Sequence, residues 1–266
     1  MRYLTTTAAA VGVFGLAVLL GQDRSAASDP AGWGTVKGQI VFGGDTIPQP
    51  KIIEAVNNNQ DKAHCLSKGP LYAEDWVVNK ENKGVRDVFV WLATEPDAPV
   101  KTLPIHPDLK TIKEKQVVMD QPCCMFIPHA LGLREGQVLL AKNSAPVAHN
   151  VNFAGFQLTN PGRNVLVPPG KEFAIEGLRA DEKFPVTISC NIHPWMRAVV
   201  RVYNHPYFAV TDVNGQFEIA KAPAGNFRLK IWHDAVGWRG GAAGRAGEKI
   251  SIAPNTVTEV KFDLKP

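Results

Sequence analysis

The side chains with the most chemistry to offer stand close together in Cys190-Asn-Ile-His193-Pro194-Trp195-Met196. Just upstream, Phe184, Val186, Ile188 and Cys190 alternate along one face of an expected strand, so the thiol should point into a core. The strand then ends, and His193 and Met196 follow in a tight loop bearing Pro194. Such a loop can fold a thiolate, an imidazole and a thioether around one point. A second histidine stands upstream, in Asn143-Ser-Ala-Pro146-Val-Ala-His149-Asn150-Val151-Asn152-Phe153. There His149, Val151 and Phe153 share the inward face, while Asn150 and Asn152 share the other. One Cys, two His and one Met on a β-sandwich suit a single type 1 copper ion: thiolate and thioether favour Cu(I), and imidazole accepts Cu(II). A lone buried Cys, His or Met is more often packing. Zinc fits less well, because a structural zinc site closes with a fourth strong ligand, which a thioether is not.

These residues need strands to hold them, and strands are what the chain offers. From Trp33 onward apolar residues alternate, as at Val36, Ile40 and Phe42, at Phe227, Leu229 and Ile231, and at Val260, Phe262 and Leu264. Val88, Val90 and Leu92 repeat the pattern, but Phe89 and Trp91 make that strand apolar on both faces. Asn214-Gly215 between Val210 and Phe217 predicts a hairpin turn. Residues 51–63 are expected to form one short helix, and 93–110 and the glycine-rich 239–247 to be loops. The fold class is therefore all-β, built of sandwiches.

The chain has 266 residues, 45% of them hydrophobic and 20% charged, which is globular composition and excludes disorder and collagen-like repeats. Its net charge of +4 is mild and dispersed, so no nucleic-acid partner is expected. Residues 1–27 read as an export signal: Arg2, an apolar run from Ala8 to Leu20, then Ser25-Ala26-Ala27. That run is short for a bilayer span, and no membrane span is expected after cleavage, which places the protein in the periplasm or outside the cell. Three cysteines remain beside Cys190. Cys123 and Cys124 are adjacent and would strain a mutual bond, so Cys65 is expected to pair with Cys124, or alternatively with Cys123. His129 is expected to be structural in preference to a copper ligand, and His64, His106, His205 and His233 ordinary surface or packing residues.

Cys-x2-His-x2-Met with its His-Pro-aromatic-Met ending resembles the ligand loop of amicyanin-type cupredoxins, and Asn…His-Asn-Val resembles the first-ligand region of the plastocyanin type. The resemblance implies His149, Cys190, His193 and Met196 as copper ligands. It implies Asn150 as the residue that ties the two ligand loops together, with Pro194 and Trp195 beside the site. Many cupredoxins have Pro directly before the first ligand, where this chain has Ala148. Residues 208–231, with Thr-Asp…Gly-x-Phe-x-Ile…Pro-x-Gly-x-Phe-x-Leu, resemble the transthyretin-like, carboxypeptidase-regulatory sandwiches. The whole arrangement is similar to exported methylamine-utilisation-like proteins. The expected order is one sandwich from 29–107 and 205–266 with a cupredoxin, 108–204, inserted between its parts; the alternative is simple tandem order.

These resemblances imply an exported single-copper electron-transfer protein, with His193 reaching the surface and a redox partner docking near His193 and Trp195. A copper carrier, or a structural or carbohydrate-binding sandwich with copper secondary, are the other expectations. An enzyme is not expected: His-x-His pairs for a copper cluster are missing from the sequence, and residues 185–200 contain one Cys where a dinuclear copper site needs two.

Overall fold

The computed structural model describes residues 32–99, 101–155, 158–180 and 185–266. The expected signal, residues 1–27, and Phe184 lie outside the described residues. Two strands come first, β1 (Trp33–Phe42) and β2 (Phe89–Ala93). Then follow β3 (Gln116–Asp120), β4 (Ala130–Arg134), β5 (Val138–Lys142), β6 (His149–Ala154) and β7 (Arg163–Val167). Next are β8 (Glu172–Ile175), β9 (Val186–Ser189), β10 (Arg197–Tyr203), β11 (Phe208–Val210) and β12 (Gln216–Pro223). The last are β13 (Gly225–His233), β14 (Gly237–Trp238), β15 (Glu248–Ile252) and β16 (Val257–Leu264). The chain is all-β, and among the described residues no helix is long and apolar enough to cross a membrane.

The strands form two sandwiches. In one, the sheet β12-β1-β16 faces the sheet β11-β2-β13-β14, with β15 on β13. Val36, Ile40, Val90, Leu92, Leu229 and Ile231 fill the space between. In the other, β4-β10-β9-β6-β7 faces β3-β5-β8 over Met119, Leu139, Phe153, Ile188 and Val200. Strands from 33–93 thus pair with strands from 208–264, and those from 116–203 pair among themselves.

The doubly apolar β2 has a physical reason. Val90 and Leu92 enter its own core, while Phe89 and Trp91 pack with Trp232 and Trp238 against Ala130, Val199 and Tyr203 of the second sandwich. Strand β10 does the same from the other side, with Val200 and Val202 inward and Val199 and Tyr203 toward β2. The two sandwiches therefore share an aromatic layer that buries both faces of a strand.

Three local expectations change. Residues 51–63 do not form one helix: a 3₁₀ turn, Glu54–Asn58, gives way to a four-residue helix, α1 (Lys62–Cys65). Between them Asn59 is extended (φ −90°, ψ 146°), and its Oδ1 accepts from Asp61 N at 2.9 Å. An asparagine side chain that satisfies the backbone in this way competes with helix. Asn214-Gly215 turns the chain, but not into a hairpin, because β11 pairs β2 and β12 pairs β1 in the opposite sheet. Gly215 has φ +69°, and a Cβ there would lie 2.2 Å from Ile40 O, so the crossover requires glycine. The loop regions 93–110 and 239–247 contain a short helix, α2 (Pro107–Lys110), and a 3₁₀ turn, Gly241–Ala246.

An ionic cluster around the buried side chains of His129 and Asp234 lies beside the aromatic layer. His129 is bracketed by Glu74 (Nδ1 to Oε2, 3.5 Å) and Asp234 (Nε2 to Oδ2, 3.5 Å). Arg197 also contacts Asp234, and Arg86 pairs with Glu74 at 2.6 Å. Burial opposes the charge on His129, but the two carboxylates overcome it and push its pKa up to about 9. A folded value raised above the unfolded one stabilises most below about pH 6.5 and is lost as pH rises through the folded pKa. Denaturant unfolding from about pH 6 to about pH 10 should therefore show a fall of up to about 3 kcal/mol that His129→Gln flattens. An unchanged pH slope in that variant would contradict the assignment.

Candidate metal centre

Strand β6 begins with His149, and the alternation predicted for it holds: His149, Val151 and Phe153 are 0%, 2% and 1% exposed. The entry to β6 is shaped by Asn143, whose Nδ2 donates to Val147 O at 2.9 Å and Val167 O at 2.8 Å. Its Oδ1 accepts from Ala145 N at 3.0 Å, so this buried amide takes up the backbone polar groups of the turn that precedes the histidine. The second element is the β9–β10 hairpin. Arg197 pairs with Ser189, which brings Met196 opposite Cys190, and Cys190 N donates to Met196 O at 3.2 Å. Opposed residues project to the same face, and both side chains are buried in the same core. His193 stands at the tip between them, with Met196 N donating to its carbonyl at 2.9 Å.

The sheet brings the two pieces to one point. The Nδ1 atoms of His149 and His193 lie 2.9 Å apart, and Cys190 Sγ lies 3.9 Å from His193 Nδ1. The ligating atoms of His149, Cys190 and His193 all fall within 4.8 Å of one another, and all three residues are buried. Burial first, then mutual repulsion with His193, pushes the pKa of His149 down to about 4. Burial also lowers that of His193, against the pull of Asp61. Neutral imidazoles present lone pairs, as metal ligation requires.

Asn150 locks the arrangement. Its Oδ1 accepts from Asn191 N at 2.7 Å and Ile192 N at 3.3 Å, and faces Cys190 Sγ at 3.3 Å. Its Nδ2 donates to Asn164 Oδ1 at 2.7 Å. One side chain on the first piece therefore satisfies the backbone of the second. A further N–H, that of His193, points at Cys190 Sγ from 3.4 Å. Pro194 is exposed, and Trp195 is half-buried with its ring edge-on to His193, centroids 5.3 Å apart.

His193 does not reach the surface as expected: it is 0% exposed. The cover is the stretch between β1 and β2. Asn59 Nδ2 donates to Ile192 O at 3.2 Å, and His193 Nε2 donates to Asp61 Oδ2 at 3.1 Å. Val56, Cys65 and Leu71 are buried in the core of the second sandwich, although their segment lies between strands of the first. The Cys65–Cys124 disulfide joins that cover to the loop between β3 and β4, and Trp195 Nε1 donates to Cys124 O at 3.0 Å. Cys123 is left as a free thiol.

Sequence reasoning did not single out Asp61. Its carboxylate fixes the tautomer of His193, holding the proton on Nε2 and leaving Nδ1 to face His149. His64, read as an ordinary surface or packing residue, lies close enough to add a smaller electrostatic influence to the burial that lowers the pKa values of His149 and His193. The signal that could have found both is their position just ahead of Cys65. His129, by contrast, takes its partners from Glu74, Asp234 and the Arg197 carbonyl.

The donors fit copper on their own chemistry: two imidazole nitrogens and one thiol, all buried, with a buried thioether on the same hairpin. His149 Nε2 is buried without a hydrogen-bond partner, so nothing competes for the orientation that turns Nδ1 inward.

No protein-family model matches the chain, and no curated protein matches it in sequence. Among solved structures, amicyanin from Paracoccus versutus is 18% identical over 42% of this chain and 91% of its own length, with a TM-score of 0.30. A Cu(I) amicyanin mutant is 21% identical over 34% of this chain and 83% of its own, TM-score 0.30. The purple cupredoxin of Nitrosopumilus maritimus is 17% identical over 33% of this chain and 99% of its own, TM-score 0.28.

Proposed function

We propose that the chain is an exported, single-copper electron-transfer protein that carries one electron between redox partners and is not an enzyme. The observation that carries this reading is the convergence of one ring nitrogen each of His149 and His193 with Cys190 Sγ within 4.8 Å, all three residues buried. His149, Cys190 and His193 would hold the ion, with Met196 as a weak axial donor. A copper ion bound there supplies one-electron exchange between Cu(II) and Cu(I). The residues around it keep the donors in place in both states. Asn150 pins the 190–196 loop, His193 N–H stabilises negative charge on Cys190 Sγ, and Asp61 sets the His193 proton on Nε2. Water is excluded by the cover above His193 and the apolar core below, so the site need not rearrange when its charge changes.

The partner would dock over Pro194 and Trp195. Pro194 is exposed, and the Trp195 ring connects the surface to the edge of the His193 ring. Such contacts are small and short-lived. Export is supported by the sequence of residues 1–27 and by the disulfide, which persists in oxidising compartments. The deciding test is the visible and electron-spin-resonance spectrum of the copper-loaded protein. Intense thiolate-to-copper colour is expected, and a colourless protein with a full copper complement refutes the reading.

Copper carriage is a second reading, favoured by the burial of His193 beneath its cover, which slows release of an ion. Fast electron self-exchange selects the first reading; slow exchange with tight Cu(I) retention selects the second.

Asp61 gives a quantitative check on the centre. The carboxylate 3.1 Å from His193 Nε2 makes the imidazole a stronger donor and favours the more positive ion. Asp61→Asn keeps an acceptor and removes the charge. It should weaken Cu(II) binding by about 10- to 100-fold, weaken Cu(I) binding less, and so raise the reduction potential. Voltammetry with chelator competition measures both, and an unmoved potential rules the coupling out.

A further inference from the structure

Beside the first donor set lies a second that shares one of its members. The Sγ atoms of Cys65 and Cys124 and a ring nitrogen of His193 also fall within 4.8 Å of one another, and all three residues are buried. In the disulfide those sulfurs are committed to each other. We propose that, released from the disulfide, Cys65 and Cys124 form with His193 a second site for a soft monovalent cation, Cu(I). Two thiolates and an imidazole are donors of the class that Cu(I) prefers.

The release needs a dithiol reductant. Its two thiols give two electrons and two protons, the Cys65–Cys124 bond breaks to two thiols, and the reductant closes to its own disulfide. Binding of Cu(I) then displaces the two thiol protons.

The geometry does not depend on the S–S bond alone. On the Cys65 side, Cys65 N donates to Asp61 O at 3.0 Å, Asp61 holds His193, and Asn59 holds Ile192 O at 3.2 Å. On the Cys124 side, Trp195 Nε1 donates to Cys124 O at 3.0 Å. Both cysteines are packed in the core, at 1% and 0% exposure, so their backbones stay held when the bond opens, while the two sulfurs part by rotation about their Cα–Cβ bonds to make room for the ion. Because His193 belongs to both sets, an ion drawn to the two thiolates also engages an imidazole of the first set.

The test removes the first set and the stray thiol in the full chain, with His149→Ala, Cys190→Ser and Cys123→Ser combined. Cu(I) is titrated against a chromophoric chelator before and after treatment with a dithiol, with circular dichroism recorded on both forms. The oxidised variant should leave Cu(I) with the chelator, and the reduced variant should take up about one Cu(I) per chain. Adding Cys65→Ser or His193→Gln should abolish that uptake. Failure of the reduced form to bind, binding that survives His193→Gln, or loss of the sheet spectrum on reduction each overturns the proposal. The inference uses His193 as the electron-transfer reading does, but the two fail separately. A wild-type, disulfide-bonded protein that cannot bind copper defeats only that reading, and a reduced variant that cannot bind Cu(I) defeats only this one.

Discussion

Cys190→Ser should erase the visible charge-transfer colour of the copper-loaded protein while leaving the fold intact. Colour of that intensity needs a thiolate on copper, and Cys190 is the thiol 3.9 Å from His193 Nδ1 in the His149 set. Serine is close in shape, so the core around position 190 keeps its volume. Its hydroxyl can still donate to Asn150 Oδ1, the acceptor that Cys190 Sγ faces at 3.3 Å. A hydroxyl also remains protonated at neutral pH where a metal-bound thiol does not, so the strongest donor is lost and Cu(I), the softer ion, suffers most. Copper content, visible spectrum and denaturant midpoint together check this. Bleached colour with an unchanged midpoint of the copper-free protein is the expected pattern. Retained colour would move the thiolate elsewhere, to Cys123 as the other free thiol among the described residues.

The hairpin that carries Cys190, His193 and Met196 was legible in the sequence because its signal is local. Cys190, His193 and Met196 lie within seven residues, and period-two alternation fixes which way Cys190 and His149 point. The same rule exposed β2 as a strand buried on both sides, although only the packing of Phe89 and Trp91 reveals that the second burying surface is another sandwich. Local spacing could not reveal the cover over His193. Asp61 is separated from His193 by 132 positions, and its segment carries neither alternation nor a lasting helical period, because Asn59 breaks it. The Asn214-Gly215 turn shows the same limit. Turn chemistry reads correctly from two residues, but which sheet receives the next strand is decided by the register of β1 with β12.

That unread cover leads to the second large effect, removal of the disulfide by Cys65→Ser with Cys124→Ser. The bond closes a loop across a sequence separation of 59, and the loss of that constraint on the unfolded chain is worth about 4 kcal/mol. Serine also places hydroxyls in an apolar core where Cys65 and Cys124 are 1% and 0% exposed, which adds to the loss. The hydrogen bonds from Asn59, Asp61 and Trp195 remain, so the fold should persist, with its denaturant midpoint lowered and faster amide exchange concentrated in residues 53–73. Copper should restore much of the loss. An ion that binds only the folded chain stabilises it by about 4 kcal/mol at a thousand times its dissociation constant. Because His193 is held both by the ion and by Asp61 of the cover, loading the centre should slow exchange in 53–73 as well as in 190–196. Copper-loaded serine variants that regain the midpoint but leave 53–73 exchanging fast would break the link between cover and centre. Protection returning to both segments together would establish it.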